Sequence, residues 1–212
     1  MMRTLIIAIT VVALSVVANA SFIDPTFTGA AGSTMQQWDF DTPANPVVAE
    51  TFVNPFGDPT ATIIGDPLDM QYIAVDTNTG RTGVWKTKGH YEFHIDNTDQ
   101  TGPDTYKDVV IQMIYDSDPF DDLVWMRYSA DGSPIALGTL PDTKVALGDG
   151  YSLATWTFQI KPNPTEETIY LLPYYCNLYV DSIRIDTVCV PEPASMGIMG
   201  IGALLMFARK RK

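Results

Sequence analysis

Both histidines of the chain lie in the short segment 90–95, His-Tyr-Glu-Phe-His-Ile. On a β-strand, alternate side chains share a face, so His90, Glu92 and His94 would project together. Imidazole and carboxylate groups are common metal ligands, which raises the question of a metal site. Residues four apart on a strand are about 13 Å apart, too far for two imidazoles to meet on one ion. A pair that includes Glu92 stays open, but it lacks a third ligand nearby, and the pattern favours a solvated polar strand face.

The acidic segment 116–122 is a second group of residues that could bind a ligand. Calcium is bound by several oxygen atoms from a flexible loop, which makes this segment a calcium candidate. It lacks the glycine and the terminal glutamate of an EF-hand loop, and a solvated acidic hairpin loop is the alternative. No other cofactor is expected. The candidate calcium ligands are Asp116, Asp118, Asp121 and Asp122.

Four tryptophans could supply flat surfaces on which sugar rings stack. Alternation with apolar neighbours predicts that Trp38 and Trp156 point into a core. Trp125 shares its predicted strand face with Arg127, so it is the first candidate for an exposed platform. Ordinary packing remains the alternative for every candidate. The further platform candidates are Trp85, which lies beside two lysines, and the pair Tyr174 and Tyr175.

Recognisable catalytic motifs are missing. The sequence has no Gly-x-Ser-x-Gly elbow, no His-Glu-x-x-His, no P-loop and no dinucleotide fingerprint. Glycosidases use paired carboxylates, but the abundance of aspartate makes any such pair uninformative. We therefore expect a protein that is not an enzyme. A secreted carbohydrate-active enzyme with an unrecognised aspartate pair is the alternative.

The charge distribution argues against nucleic-acid binding. Of the 13 basic residues, five lie near the termini; the other eight and all 25 acidic residues lie between Asp24 and Glu192, a net charge of 8 − 25 = −17. Such a charge repels phosphate backbones.

Short segments of alternating polarity, separated by turns rich in Gly, Pro, Asn and Asp, fill the region 21–189. No segment has a helical period. This pattern predicts one all-β domain, an antiparallel β-sandwich of the jelly-roll type. The predicted strands are 36–40, 47–53, 60–64, 70–75, 90–95, 108–115, 123–130, 151–160, 167–172 and 177–188.

The two cysteines, Cys176 and Cys189, flank the last predicted strand. An even number in an exported chain favours a disulfide. Thirteen extended residues span about 40 Å, however, whereas bridged Cα atoms lie about 6 Å apart. The apolar alternation slips at Asp181 and Ser182, which predicts a β-bulge rather than a reversal. We therefore expect no bridge between these cysteines.

The segment 1–20 has the features of a secretory signal peptide. A short basic start is followed by a mostly apolar run, and Ala18 and Ala20 supply the small residues that signal peptidase reads. Cleavage is expected before Ser21. The sequence thus predicts an exported protein.

The segment 190–212 combines three ordered features. The motif Pro191-Glu192-Pro193 precedes an apolar stretch, 194–208, which predicts a short transmembrane helix of about 22 Å. A basic cluster follows, which is expected to stay on the cytoplasmic side of the membrane. That cluster consists of Arg209, Lys210, Arg211 and Lys212.

This tail resembles the PEP-CTERM sorting signal, and the last predicted strand resembles the closing strand of galactose-binding-like, carbohydrate-binding jelly rolls. The middle region is similar to the ectodomains of planctomycete-type PEP-CTERM proteins. The resemblance implies recognition of Pro191, Glu192 and Pro193 by an exosortase, after transient anchoring in the inner membrane of a Gram-negative-type bacterium. It also implies a destination at the cell surface or in the exopolysaccharide matrix. A permanently membrane-anchored ectodomain is the alternative.

Overall fold

The computed structural model describes residues 21–96, 105–117, 124–130, 133–173 and 177–191, and the regular elements of this part are all β-strands. Every strand pairing is antiparallel. The strands are β1 (Ser33–Trp38), β2 (Val47–Val48), β3 (Thr51–Val53), β4 (Thr60–Ile64), β5 (Gln71–Val75), β6 (Thr82–Thr87), β7 (His90–Asp96), β8 (Thr105–Ser117), β9 (Val124–Ala130), β10 (Ser133–Thr139), β11 (Thr143–Ala146), β12 (Ser152–Ile160), β13 (Glu166–Pro173) and β14 (Leu178–Pro191).

These strands form two sheets. The eight-stranded sheet has the order β11-β12-β8-β14-β1-β3, and the hairpin β5-β6 joins it through β14. The six-stranded sheet has the order β10-β9-β13-β7-β4-β2. The predicted all-β antiparallel sandwich is confirmed.

The core lies between the two sheets, and β1, β4, β7 and β13 alternate between buried and more exposed residues. In β7, Tyr91, Phe93 and Ile95 are fully buried, while the residues between them are partly exposed. Trp38 from β1 reaches across from the eight-stranded sheet, and its ring lies 5.0 Å from that of Phe93, centroid to centroid. Burial of each such large side chain contributes about 1.5–3 kcal/mol. The prediction that Trp38 and Trp156 face the core is confirmed by their exposures of 0% and 2%.

All ten predicted strand segments coincide with strands, although the segment 47–53 divides into β2 and β3. The polarity pattern of the sequence did not indicate β6, β10 and β11. Strand β6 is buried on both sides, because Val84 packs in a second cluster while Trp85 packs in the main core. It therefore shows no alternation of polarity. Strand β11 is exposed at all four positions and lies at a sheet edge, so it also lacks a buried stripe.

The predicted bulge in the last strand is confirmed. The register between β14 and β8 shifts between Val180 and Ser182. The extra residue, Asp181, turns its carboxylate towards Arg81, whose Nη1 lies 2.6 Å from Oδ2. Burial raises the pKa of Asp181, and the ion pair with Arg81 opposes that shift.

The N-terminal segment 21–30 lies on the outer face of the eight-stranded sheet and is fixed there by two side chains. Gln112 bonds to both backbone groups of Ile23, with its Oε1 accepting from the N–H at 2.9 Å and its Nε2 donating to the C=O at 2.7 Å. Arg184 Nη2 lies 2.7 Å from Asp24 Oδ1. The outer face of this sheet is therefore covered over β8 and β14.

Candidate functional site

The outer face of the six-stranded sheet carries a continuous set of polar side chains, which we call the polar face. Each member alternates along its strand with a buried residue, so the backbone holds the whole set in a fixed order. The members are Thr60 and Thr62 from β4, His90, Glu92, His94 and Asp96 from β7, Arg127 from β9, and Glu166, Thr168 and Tyr170 from β13.

Tyr170 occupies the centre of the polar face. In the strand register it lies opposite Glu92 on one side and opposite Arg127 on the other. Directly opposed residues have Cβ atoms about 4.5–5.5 Å apart, so an aromatic ring is flanked by a carboxylate and a guanidinium. The His90 ring lies 6.1 Å from the Tyr170 ring, and its Nε2 is 2.8 Å from Glu92 Oε1, a hydrogen-bond distance. This arrangement offers an apolar surface together with a hydrogen-bond acceptor and a donor.

The eight-stranded sheet differs because its outer face is occupied. Gln112 and Asp186 are only 2% and 1% exposed there, whereas the side chains of His90 and Glu92 on the polar face are 28% and 35% exposed. A groove of about 530 Å³ remains between the N-terminal segment and β8, β11 and β12. Gln112 lines this groove but uses both amide atoms on the backbone of Ile23. The polar face is therefore the stronger candidate for ligand binding.

His90, Glu92 and His94 share one strand face, as predicted. The sequence did not reveal the two carboxylates that lie near His94. His94 Nε2 lies 3.5 Å from Asp96 Oδ1 and 3.9 Å from Glu166 Oε2. Glu166 belongs to β13 and enters this group because it lies opposite Asp96 in the register. The pairing of His90 with Glu92 is separate and lies nearer to Tyr170.

Behind the polar face, a buried ion pair joins the two sheets. Lys107 from β8 and Glu167 from β13 both have fully buried side chains, and Lys107 Nζ donates to the two carboxylate oxygens at 3.1 and 2.9 Å. Burial raises the pKa of Glu167, and the charge of Lys107 opposes that shift. The pair holds β13 against β8 and so helps to keep the strand that carries Tyr170 and Glu166 in place.

The predicted sugar platforms have different outcomes. Trp85 is 5% exposed and packs in the core, with its ring 5.5 Å from that of Tyr72. The prediction that Trp85 is an exposed platform is therefore wrong, because β6 inserts its side chain beside the main core. The backbone of Trp125 pairs with Leu172, but its side chain lies outside the described residues. Tyr174 and Tyr175 also lie outside them, so these three stay predictions.

The predicted calcium loop falls mostly outside the described residues. Asp116 lies near the end of β8 and is partly exposed, while Asp118, Asp121 and Asp122 are not described. The calcium site thus stays a prediction.

Cys189 carries a free thiol and is buried beside Lys107 and Asn163, whose Nδ2 donates to Sγ at 3.3 Å. Burial raises the pKa of this thiol, and the charge of Lys107 opposes the shift. Cys176 lies outside the described residues.

The two terminal signals are also largely outside the described part. It begins at Ser21, which is exposed, and it ends at Pro191, whose backbone pairs with Thr105 at the end of β14. Glu192, Pro193 and residues 194–212 are not described, and neither are Ala18 and Ala20. Within the described residues, no helix has the length and apolar character needed to cross a membrane.

Three residues of the polar face could not be identified as site residues from the sequence alone. Tyr170 and Glu166 were not singled out, and Arg127 served only to place Trp125. Alternation in the segment 166–172 was the available signal, because Ile169 and Leu171 are core residues and therefore assign Tyr170 to the opposite face. The juxtaposition with Glu92 could not be read, since it depends on which strands pair.

Several solved structures with weak similarity to this chain are carbohydrate-binding modules. A family 35 module from Clostridium thermocellum matches with a TM-score of 0.34 and 10% identity, over 67% of this chain and 98% of that one. The xylan-binding CBM22-1 domain of Paenibacillus barcinonensis Xyn10C matches with a TM-score of 0.37 and 9% identity, over 73% and 92%. The C-terminal CBM6 of LamC from Zobellia galactanivorans matches with a TM-score of 0.31 and 15% identity, over 55% and 87%. Nothing about a ligand of this chain follows from these likenesses.

The sequence comparisons concern the tail. No curated protein matches the chain. Residues 190–212 match the family described as the PEP-CTERM protein-sorting motif. The chain thus combines an antiparallel β-sandwich with a C-terminal tail that carries the PEP-CTERM protein-sorting motif.

Proposed function

We propose that the chain is an exported, non-catalytic protein of the bacterial cell surface or extracellular matrix, and that its β-sandwich binds polysaccharide through the polar face. In this proposal, signal peptidase cleaves before Ser21. The tail then holds the protein in the inner membrane until an exosortase processes it at the motif Pro191-Glu192-Pro193.

The sorting half of the proposal is supported by the tail. The family match spans residues 190–212, which include the Pro-Glu-Pro motif, the apolar stretch and the basic cluster in that order. A helix of 15 residues is about 22 Å long, shorter than the roughly 30 Å hydrocarbon core, and suits temporary rather than permanent anchoring. The basic side chains can reach the interface and lessen the mismatch.

The binding half is supported by one observation, the position of Tyr170 between Glu92 and Arg127 on a sheet face whose described side chains are partly exposed. A pyranose ring has an apolar face that packs on an aromatic ring, and hydroxyl groups at its edge that need donors and acceptors. Glu92 accepts hydrogen bonds and Arg127 donates them, on opposite sides of the ring. Thr168 and Thr62 lie on the same face and add hydroxyl groups along the sheet. A row of polar side chains across several strands suits an extended chain better than a small molecule.

The test is affinity electrophoresis of the purified protein in gels that contain exopolysaccharide isolated from its own host. We expect retarded migration of the wild type, and a 5- to 30-fold weaker retardation constant for Tyr170→Ala, which corresponds to about 1–2 kcal/mol. Phe52→Ala is the matched control, because Phe52 is an exposed aromatic residue on β3 of the other sheet. Equal retardation of wild type and Tyr170→Ala would show that the polar face is not the binding surface, and unretarded wild type would refute the binding half altogether.

A further inference from the structure

Three potential metal ligands converge at one end of the polar face. The His94, Asp96 and Glu166 side chains each offer one atom, and these atoms all lie within 4.8 Å of one another. His94 Nε2 is 3.5 Å from Asp96 Oδ1 and 3.9 Å from Glu166 Oε2. Both distances exceed the usual hydrogen-bond range of about 2.7–3.2 Å. The three groups therefore face a shared space without closing it by direct hydrogen bonds between these atoms.

The backbone fixes each of these groups from a different direction. His94 and Asp96 are alternate residues of β7, and Glu166 is the first residue of β13, directly opposite Asp96. The loop before β4 holds Asp96 in addition. Asn54 Nδ2 donates to the Asp96 carbonyl at 3.1 Å, and a Cβ placed on Gly57 would lie only 1.9 Å from Asp96 Oδ2. The absence of a side chain at Gly57 thus makes room for one carboxylate oxygen, while the other is turned towards His94.

The spacing fits a small transition-metal ion. Metal–ligand bonds of about 2.1 Å place neighbouring ligand atoms about 3.4 Å apart in a tetrahedral site and about 3.0 Å apart in an octahedral one. The observed 3.5 and 3.9 Å require only small side-chain rotations to reach these values. A ligand set of one imidazole and two carboxylates suits zinc and its neighbours, whereas calcium takes six to eight oxygen ligands. The acidic charge of the surrounding chain raises the local concentration of cations.

We propose that His94, Asp96 and Glu166 form a binding site for a divalent transition-metal cation of the zinc class. The bound ion links β7 to β13 at the edge of the polar face. The exposed fractions of the three side chains, 43%, 39% and 51%, leave the remaining coordination positions open to solvent or to an oxygen-rich ligand. The site stands apart from the pair His90 and Glu92, and it does not depend on polysaccharide binding.

The proposal is tested by isothermal titration calorimetry, in which ZnCl₂ is added to the purified protein. The protein is prepared without a polyhistidine tag. We expect one ion per chain, and a rise in Tm of about 5 °C when Zn²⁺ exceeds its Kd by 100-fold. His94→Ala and Glu166→Gln should each weaken Zn²⁺ binding at least tenfold, because each removes one of three protein ligands. Gly57→Ala should weaken it as well, since the added Cβ displaces the Asp96 carboxylate.

His90→Ala is the matched control, because it removes the other histidine of the same strand face. It should retain the Zn²⁺ affinity of the wild type. The His90, His94 and Glu166 side chains are partly exposed, so their substitution should not disturb folding. Urea unfolding midpoints equal to that of the wild type, measured in the presence of a chelator, show that the variants fold normally. Absence of binding to the wild type at 1 mM ZnCl₂, roughly the limit of useful affinity, would overturn the proposal. Equal loss of binding in His90→Ala and His94→Ala would also overturn it.

Discussion

The buried pair of Lys107 and Glu167 makes a specific prediction about stability. The two side chains are fully buried, and the two Nζ–oxygen distances are 2.9 and 3.1 Å. At about 3 Å and an effective dielectric constant of about 20, their attraction is about 5.5 kcal/mol, and the cost of removing both charges from water offsets much of it. Loss of one partner leaves the other group buried without its opposite charge, which typically costs about 3–5 kcal/mol.

We therefore expect Lys107→Met and Glu167→Leu each to lower the free energy of unfolding by about 4 kcal/mol at neutral pH. With an m value of about 2 kcal/mol/M in urea, the unfolding midpoint should fall by about 2 M. The double variant should lose much less than the sum, because a packed apolar pair of similar volume replaces the ions. Urea unfolding followed by tryptophan fluorescence measures all four proteins. Additive losses in the double variant, or single losses below about 1 kcal/mol, would refute the reasoning.

The same pair predicts the sign of a pH effect. Burial raises the pKa of Glu167 above its ordinary value of 4.5, and the charge of Lys107 opposes that shift. In Lys107→Met the opposing charge is gone, so the pKa of Glu167 in the folded state rises further. A raised carboxyl pKa penalises the folded state above that pKa, and the penalty disappears as the pH falls towards 4.5. The destabilisation of Lys107→Met should thus be smaller at pH 5 than at pH 8.

Two further substitutions test other parts of the fold. Arg184→Met removes both the pair with Asp24 and the pair with the buried Asp186. We expect the free energy of unfolding in urea to fall by about 3 kcal/mol and the N-terminal segment to be proteolysed faster. An unchanged urea midpoint would contradict this role. Gly89→Ala would place a Cβ 1.7 Å from the Ile64 carbonyl oxygen, so β4 and β7 must separate. We expect the free energy of unfolding in urea to fall by about 1–3 kcal/mol. An unchanged free energy of unfolding would show that the turn relaxes freely.

Strands whose side chains alternate between buried and exposed positions could be predicted from the sequence, and strands without this alternation could not. Strand β7 was predicted because Tyr91 and Phe93 are buried while their neighbours are not, which imposes a period of two. The bulge at Asp181 was predicted because it shifts that period. Strand β6 was missed because both of its faces are covered, and Trp85 was misplaced for the same reason.

Contacts between strands were beyond the sequence. The approach of Glu166 to His94 depends on the pairing of β13 with β7, and residues 97–165 lie between these strands in the sequence. The position of Tyr170 beside Glu92 and Arg127 depends on the same register. Local alternation assigns a residue to a face, but the order of strands in the sheet decides its neighbours.

The most direct test of the central claim is the intact mass of the protein recovered from its native host, in separate membrane and extracellular fractions. We expect an extracellular species that begins at Ser21 and ends near Pro193, which would show that both terminal signals are removed. A species that still ends at Lys212 and stays in the inner-membrane fraction would contradict it, because the tail would then be a permanent anchor.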